Sequence, residues 1–395
     1  MKIAIVVSHP IQHFCPMYAS WAKNKNIQLK VYFASNLGSV SYFDSSFGKS
    51  VKWNNLYLND FDHCFLNGDK TLEVNNNLDA PNLEKELDSF QPNLVIQYGR
   101  IYKFIQRLRR WQKDKNNVKS AYISDTENRH KEAFYRRIIK KLIISKYFKS
   151  FDLFLSVGDA NEDYYLSNGV KRNKILRMNF SIDINHFDIY FKQIDVHRSE
   201  FRNLRDIKET DIVISVVGKL VEWKNQIHII QALQILETIN PNLRFHLLIA
   251  GSGPCERKLR EASVNLKQNK VHFLGFVNPT QLPIIYVSSD IYIHPSKFEP
   301  HSLAVSEAIY MGLPVILSSS SGSYGPTDDV RIGINGEKYA FGEIQSLVAN
   351  ILKLSNSQEI RNQYRQNSIN ISRRQQSICH FDVVNSIVCH SIFQN

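Results

Sequence analysis

Two glutamates eight positions apart, Glu299 and Glu307, lie in the segment 290–318, DIYIHPSKFEPHSLAVSEAIYMGLPVILS. The first falls in a loop just before a helix and the second in that helix's second turn. Ser302 is placed to cap the helix, its side chain satisfying an orphan amide of the first turn. The free amides and dipole of a helix N-terminus make a ready site for phosphate. Two cations, Lys219 and Lys224, stand five positions apart just after another apolar run. Cations converging on one loop are what a departing diphosphate needs, because its charge must be neutralised as it leaves. Lysine supplies that charge as a point, without the bidentate fork of arginine.

The elements that must hold these groups are legible around them. Residues 290–294 are a short β-rich run that Pro295 stops. Leu303, Val305, Ala308, Ile309 and Met311 recur at roughly helical spacing, Gly312 suits the left-handed residue that ends a helix, and Pro314 follows. Residues 314–317 form a second buried strand. Two strands joined by a helix are a βαβ unit of a parallel sheet. In such sheets ligands bind outside the carboxyl ends of the strands, where Glu299 lies. Upstream, 212–220 is a buried strand entering a turn at Gly218-Lys219, followed by a helical run over 226–236. Residues 245–250 are a strand that ends in Gly251-Ser252-Gly253-Pro254, and Pro254 suits the first turn of the next helix. Residues 271–276 are one more strand, ending at Phe276.

This ordered set resembles the E-x7-E signature of the retaining glycosyltransferases of the GT-B fold, family 4 (the "glycosyl transferases group 1" type). Pro295-Ser296, Glu299-Pro300, Leu303 and Glu307-Ala308 match the family's loop and helix, while His301-Ser302 replaces its Phe-Gly pair. The run Gly218-Lys219-Leu220 through Lys224-Asn225 resembles the G-R-L-x-x-x-K-G element, with Lys219 for Arg and Asn225 for Gly. Ala250-Gly251-Ser252-Gly253-Pro254 resembles the A-G-x-G-P turn, and the strand to Phe276 resembles the one bordering the nucleotide base. The match covers roughly 210–345 well. The resemblance implies that Glu307 binds ribose hydroxyls and Glu299 donor-sugar hydroxyls. It also implies that Lys219 and Lys224 bind the diphosphate, helped by amides near Ser302 and Leu303. Gly218, Gly251, Gly253, Phe276 and His301 complete the expected donor site, with Glu299 and Lys224 also catalytic. It further implies retention of configuration, a nucleotide-diphosphate sugar as co-substrate, no required cofactor and no metal.

At 395 residues, with 43% hydrophobic and 22% charged residues, the chain has the size and composition of a folded protein of two domains. No apolar run approaches the roughly 18–20 residues that span a bilayer. The apolar start MKIAIVV is too short for a signal peptide and is interrupted by His9-Pro10, so it reads as a first strand. Five scattered cysteines, none in a C-x-x-C pair, argue against a disulfide framework or zinc site and for a reducing, cytoplasmic compartment. The N-terminal half repeats the α/β alternation, with strands expected at 3–8, 28–34, 94–97, 120–124, 152–157 and 175–179. The expected fold is therefore α/β and GT-B: two Rossmann-like, doubly wound domains facing a cleft. The expected division is 1–200 for the acceptor and 201–375 for the nucleotide sugar, with the boundary in the polar stretch 193–209. A C-terminal helix over 376–395 either crosses back onto the first domain or caps the second.

His9 and His13 follow the first strand, and Asp125 and Glu127 follow another strand of the same sheet. These four are the expected acceptor-binding residues. Asp125 and His13 are the candidates to orient or deprotonate an acceptor hydroxyl. Helix capping by Asp125 and plain packing of the histidines are the competing readings. Asp60-Phe61-Asp62 is a D-x-D pair far in sequence from the donor motifs, and it reads as two loop acids.

Between 100 and 149 stand sixteen Lys or Arg against four Asp or Glu, an excess of +12 that equals the net charge of the whole chain. Within it Phe134, Tyr135, Ile138, Ile139, Leu142, Ile143 and Tyr147 recur at helical spacing among basic residues. Two readings stand: a core helix with a basic outer face, or a surface drawn to anionic lipid, as suits a lipid-linked acceptor. No nucleic-acid recognition motif is visible, and no nucleic-acid partner is expected. The sequence thus points to a cytoplasmic glycosyltransferase, peripheral on the inner face of the membrane under the second reading. It would build cell-surface polysaccharide, lipopolysaccharide or glycolipid on a saccharide or lipid-linked acceptor. A nucleotide-sugar epimerase of the same fold and a non-catalytic basic membrane- or nucleic-acid-binding protein are the rivals.

Overall fold

The computed structural model describes residues 1–44, 48–129 and 134–393. The chain forms two compact units. Unit 1 comprises Met1–Tyr42, Val51–Ile182 and Gln375–Asn395; unit 2 comprises Phe43–Ser50 and Asp183–Arg374. Fifteen strands appear in chain order among the described residues. They are β1 (Lys2–Val7), β2 (Gln28–Phe33), β3 (Tyr42–Asp44), β4 (Lys49–Val51), β5 (Asp62–Phe65), β6 (Leu94–Tyr98), β7 (Lys119–Ile123), β8 (Leu153–Ser156) and β9 (Ile175–Arg177). Then follow β10 (Ile212–Val217), β11 (Phe245–Ala250), β12 (Lys270–Gly275), β13 (Ile291–His294), β14 (Val315–Ser318) and β15 (Gly336–Tyr339).

The unit 1 sheet runs β5-β2-β1-β6-β7-β8-β9 and the unit 2 sheet β12-β11-β10-β13-β14-β15, while β3 and β4 pair only with each other. Every pairing in the two large sheets is parallel. That follows from the sequence. β1 (KIAIVV) and β10 (IVISVV) are nearly unbroken apolar runs buried along their length, as strands covered on both faces must be. In unit 1 Ala4, Val6, Leu87, Val95, Phe104 and Leu108 form one core. In unit 2 Ile214, Val216, Leu233, Leu247, Ile293 and Ile351 form another.

Each sheet grows outward from its first strand, then returns to that strand's other side. The reversal falls between β1 and β6 in unit 1 and between β10 and β13 in unit 2. Loops at the carboxyl ends of those neighbours splay apart and leave a crevice. This places residues 218–225 and 295–302 side by side in unit 2, and 8–13 at the corresponding point of unit 1.

The six strands expected in the N-terminal half are all present. β5 (DHCF) and β15 (GEKY) were not foreseen, because each is a short edge strand with polar residues. The stretch 193–209, expected to be the domain boundary, instead carries the helix Ile194–Asn203, and the units change over between Ile182 and Asp183. That helix is held by a charge its polar sequence disguises: Arg202 is fully buried, its guanidinium 2.7 Å from Asp290, and Arg198 reaches the same carboxylate at 2.7 Å. At the other end the chain rejoins unit 1 from Gln375. There Trp21 Nε1 donates to the Cys379 carbonyl at 2.9 Å, and Gln376 donates to Phe180 O at 2.8 Å.

The core-helix reading of the basic segment does not hold over its middle. On the helix Phe134–Phe148, Ile138, Ile139, Leu142 and Ile143 all face solvent, while Ile144 and Phe148 are buried. The side chains of 134–137 lie outside the described residues.

Candidate nucleotide-sugar site

Unit 2 gathers most of the expected donor residues at its topological reversal. β10 ends at Val217 and delivers Gly218 and Lys219; the turn Glu222–Lys224 then aims Lys224 across the crevice. β11 ends at Ala250, and Gly251 follows it with φ +156°. A Cβ built there would stand 1.9 Å from the Gly218 carbonyl oxygen, so the close approach of these two loops requires glycine. Gly253 abuts the Leu220 backbone in the same way, at 2.6 Å. Phe276 follows directly on β12.

Lys224 Nζ donates to Glu299 Oε2, and His294 Nε2 stands 3.6 Å from the same oxygen. Burial pushes the Glu299 carboxyl up, yet His294 and the Lys224 ammonium outweigh it and bring it down to about 2. Glu299 is therefore an anion throughout the physiological range. His294 is itself buried, and burial moves its imidazole down, toward the neutral form. Lys219 Nζ lies 3.2 Å from Asp44 Oδ2, a residue that no motif of the chain marks out. Both lysines thus face carboxylates.

The helix Leu303–Tyr310 presents Glu307 in a different environment. Glu307 is buried, and the Tyr286 hydroxyl donates to its Oε2 at 2.7 Å. Burial raises its carboxyl to about 7, with the tyrosine hydrogen bond offsetting only part. Two carboxylates of one motif are thereby driven in opposite directions, one beside a cation and one in an apolar wall.

Ser302 occupies the N-cap position, but its side chain makes no capping hydrogen bond. Its amide donates to Ser323 Oγ at 2.7 Å. The expectation that the Ser302 amide is open to phosphate is corrected accordingly; Leu303 opens the helix. The loop after β14 closes over this point. Gly322 N donates to Glu299 O at 2.7 Å, and a Cβ on Gly322 would meet the Pro300 carbonyl at 1.6 Å.

His301 is buried beneath the same loop, its Nε2 3.2 Å from Asp328 Oδ1 and 3.6 Å from Asp329 Oδ2. Ser306 Oγ also donates to Asp329, at 2.5 Å. Among the described residues, these three are the set of His, Cys, Asp and Glu whose ligating atoms all lie within 4.8 Å and could hold a cation. Asp60 and Asp62 are not part of such a set. A cavity of about 520 Å³ opens on the far side of the 221–225 loop, lined by Trp223, Gln226, His228, Lys258, Lys297 and Phe341. Neither Glu299 nor Glu307 is among its lining residues.

The expected acceptor residues belong to unit 1. His9 accepts or donates a hydrogen bond with Ser8 Oγ at 2.9 Å, and burial lowers it to about 4, so it is neutral near pH 7. His13 stacks on Phe180 with ring centres 4.9 Å apart and meets Phe14 at a 50° tilt, centres 4.3 Å apart. Asp125 is half-buried just beyond β7. Glu127 accepts from the Arg129 amide, which ties it into its own loop.

Residues 197–371 match the family model described as "Glycosyl transferases group 1". Over 124 residues the chain is 36% identical to an uncharacterized glycosyltransferase of Methanocaldococcus jannaschii, covering 31% of each chain. Over 222 residues it is 28% identical to the mannosylfructose-phosphate synthase of Agrobacterium fabrum, covering 51% of this chain and 47% of that one. The chain thus spans a third to a half of the length of these curated relatives. The crystal structure of Anabaena HepE in complex with UDP-glucose superposes over 100% of both chains with a TM-score of 0.67 at 17% identity. The fold is the two-domain, parallel-sheet α/β architecture of the GT-B glycosyltransferases.

Proposed function

We propose that this chain, which carries a group 1 glycosyltransferase domain over 197–371, transfers a sugar from a nucleotide-diphosphate donor to a hydroxyl acceptor with retention of configuration. Its place would be the assembly of cell-surface polysaccharide, lipopolysaccharide or glycolipid, in the cytoplasm at the inner face of the membrane. The observation that carries the reading is the convergence of Lys219, Lys224, Gly218, Gly251 and Glu299 at the reversal between β10 and β13. Glycines bring backbone close, two ammonium groups meet the diphosphate, and the anionic Glu299 accepts from donor-sugar hydroxyls. Glu307 takes the ribose hydroxyls, and the strand end at Phe276 borders the base.

In the proposed step the bond from the anomeric carbon to the diphosphate oxygen breaks, and its electron pair leaves with the diphosphate. Lys219 and Lys224 neutralise that growing charge. The acceptor oxygen bonds to the same face of the sugar, and its proton passes to the departing phosphate or to a carboxylate. His9, His13, Asp125 and Glu127 are the acceptor side of the proposal, with Asp125 and His13 orienting the hydroxyl. The step draws on no metal or cofactor. A saccharide or lipid-linked acceptor, and an anionic membrane surface contacted through 100–149, complete the reading.

A thermal-shift screen of nucleoside diphosphates and their sugars tests it. Stabilisation by at least one nucleoside diphosphate is expected, and no stabilisation by any of them in a folded sample would refute the donor site. Incubation with donor alone separates the epimerase, which converts the donor, from a transferase, which at most hydrolyses it slowly.

A further inference from the structure

The excess of positive charge between 100 and 149 is not one patch. Arg107 is engaged by Asp79 at 2.6 Å and Glu84 at 3.4 Å. Lys115 pairs with Asp88 at 2.7 Å. Arg109 donates to Ser150 O at 3.1 Å and stacks over Phe151 at 4.3 Å. These basic residues serve unit 1 itself.

The helix Phe134–Phe148 differs. The helix holds five Lys or Arg and no Asp or Glu, and Lys149 follows directly on it. Relative exposure is 45% at Ile138, 56% at Ile139, 68% at Leu142 and 58% at Ile143. At about 100° per residue these four fall within an arc of roughly 140°. Ile144 and Phe148, on the opposite side, are the buried residues that fasten the helix to unit 1. Lys141 stands on one flank of the apolar arc, and Lys146 and Lys149 continue its line toward the C-terminal end; all three are exposed. Contiguous exposed aliphatic side chains, rimmed by cations, mark an interaction face. The helix follows the loop at the carboxyl end of β7, the same sheet edge that carries His9, His13 and Asp125.

We infer that this helix docks unit 1 on an anionic lipid bilayer by seating Ile138, Ile139, Leu142 and Ile143 among the acyl chains, with its lysines at the headgroups. A helix lying in the interface with an apolar face and a basic rim binds through both terms. A second copy of the chain is the poorer occupant, because two such faces would bring like charges together with no carboxylate on the helix to offset them. The inference refines the membrane contact of the proposed function from a diffuse basic region to one helix and makes hydrophobic insertion its main term. It requires neither donor nor acceptor.

The test is co-sedimentation of the full chain with vesicles of phosphatidylglycerol and phosphatidylcholine, without nucleotide sugar. Binding is expected, and it should weaken at least tenfold in Leu142→Asp/Ile143→Asp, two exposed sites where the fold should persist, as far-UV circular dichroism would check. Lys141→Glu/Lys146→Glu should weaken binding at low salt, and part of the wild-type binding should survive 0.5 M NaCl. Equal binding by wild type and Leu142→Asp/Ile143→Asp would overturn the inference. So would a dimer in solution that the same pair of substitutions dissociates. Nucleoside diphosphate binding, measured on the same samples, keeps a failure here separate from a failure of the donor site.

Discussion

Glu307→Gln probes the proposed ribose contact and the charge state of the site together. Burial lifts this carboxyl from 4.5 to about 7 in the folded protein. A folded-state pKa above the unfolded one means the folded state prefers the protonated acid. The associated stability is fully present below about 4.5 and is lost as pH rises through about 7. The displacement from 4.5 to about 7 corresponds to about 3 kcal/mol. Replacing the acid by a neutral amide that still meets Tyr286 removes this penalty. The variant should then melt higher at pH 8, by up to about 6–12 °C at about 2–4 °C per kcal/mol for a domain of this size, and near wild type at pH 5. Ligand binding should move the other way. In the proposed contact ribose hydroxyls would donate to the ionised carboxylate, so nucleoside diphosphate affinity of the wild type should rise between pH 6 and 8 as the proton is released. In Glu307→Gln that slope should vanish, and affinity at pH 8 should fall about tenfold or more, the worth of a hydrogen bond to a charged group. Differential scanning fluorimetry and isothermal titration calorimetry across pH read both effects. Superimposable melting profiles, or unchanged affinity at pH 8, would refute the reasoning.

Lys224→Ala should reduce nucleoside diphosphate affinity by at least tenfold, whereas Glu299→Gln should keep or improve it while cutting transfer; equal affinity of Lys224→Ala and wild type in calorimetry would remove Lys224 from the diphosphate site. Gly251→Ala should fail to fold or lose more than about 3 kcal/mol in urea unfolding, because its Cβ would stand 1.9 Å from the Gly218 carbonyl; near-wild-type stability would show that the two loops do not approach so closely. Transfer should persist in excess EDTA, since the proposed step takes its positive charge from lysines, and complete loss restored by a divalent cation would overturn it.

The strands nearest the centre of each sheet were readable because burial on both faces forces continuous apolar runs, as in β1 and β10. β5 and β15 escaped because an edge strand tolerates polar residues and mimics a loop. The helix Ile194–Asn203 escaped for a different reason: its inward face includes Arg202, whose burial is made tolerable by Asp290, 88 positions away, and by the Ser288 carbonyl. Hydrophobic periodicity has no means of registering a buried ion pair. The helix Phe134–Phe148 left two readings open, since helical spacing of isoleucines marks a face without saying what covers it, and the exposure of Ile138, Ile139, Leu142 and Ile143 goes against the core reading.

The site divides along the same line. Glu299, Glu307, Lys219, Lys224, Gly251 and Gly253 could be found because each is fixed by the turn or helix in which it sits. Asp44, Tyr286, Ser323, Asp328 and Asp329 could not, because each reaches the site from another segment; Asp44 is 175 positions from the lysine it meets. These hidden partners change how the site works. A cation held in a half-buried crevice without an anion would be costly. Lys219 and Lys224 avoid that cost by facing Asp44 and Glu299. On the proposed function, a diphosphate would therefore exchange with carboxylates rather than fill an empty cationic hole. The net gain from its charge is then a difference between two ion-pair arrangements, smaller than either alone. Affinity under the proposed arrangement would then come largely from the rest of the nucleotide, at Glu307 and Phe276. In the proposed step the lysines would act most strongly where the balance tips, when the breaking glycosyl bond adds charge to the phosphate that the carboxylates do not carry.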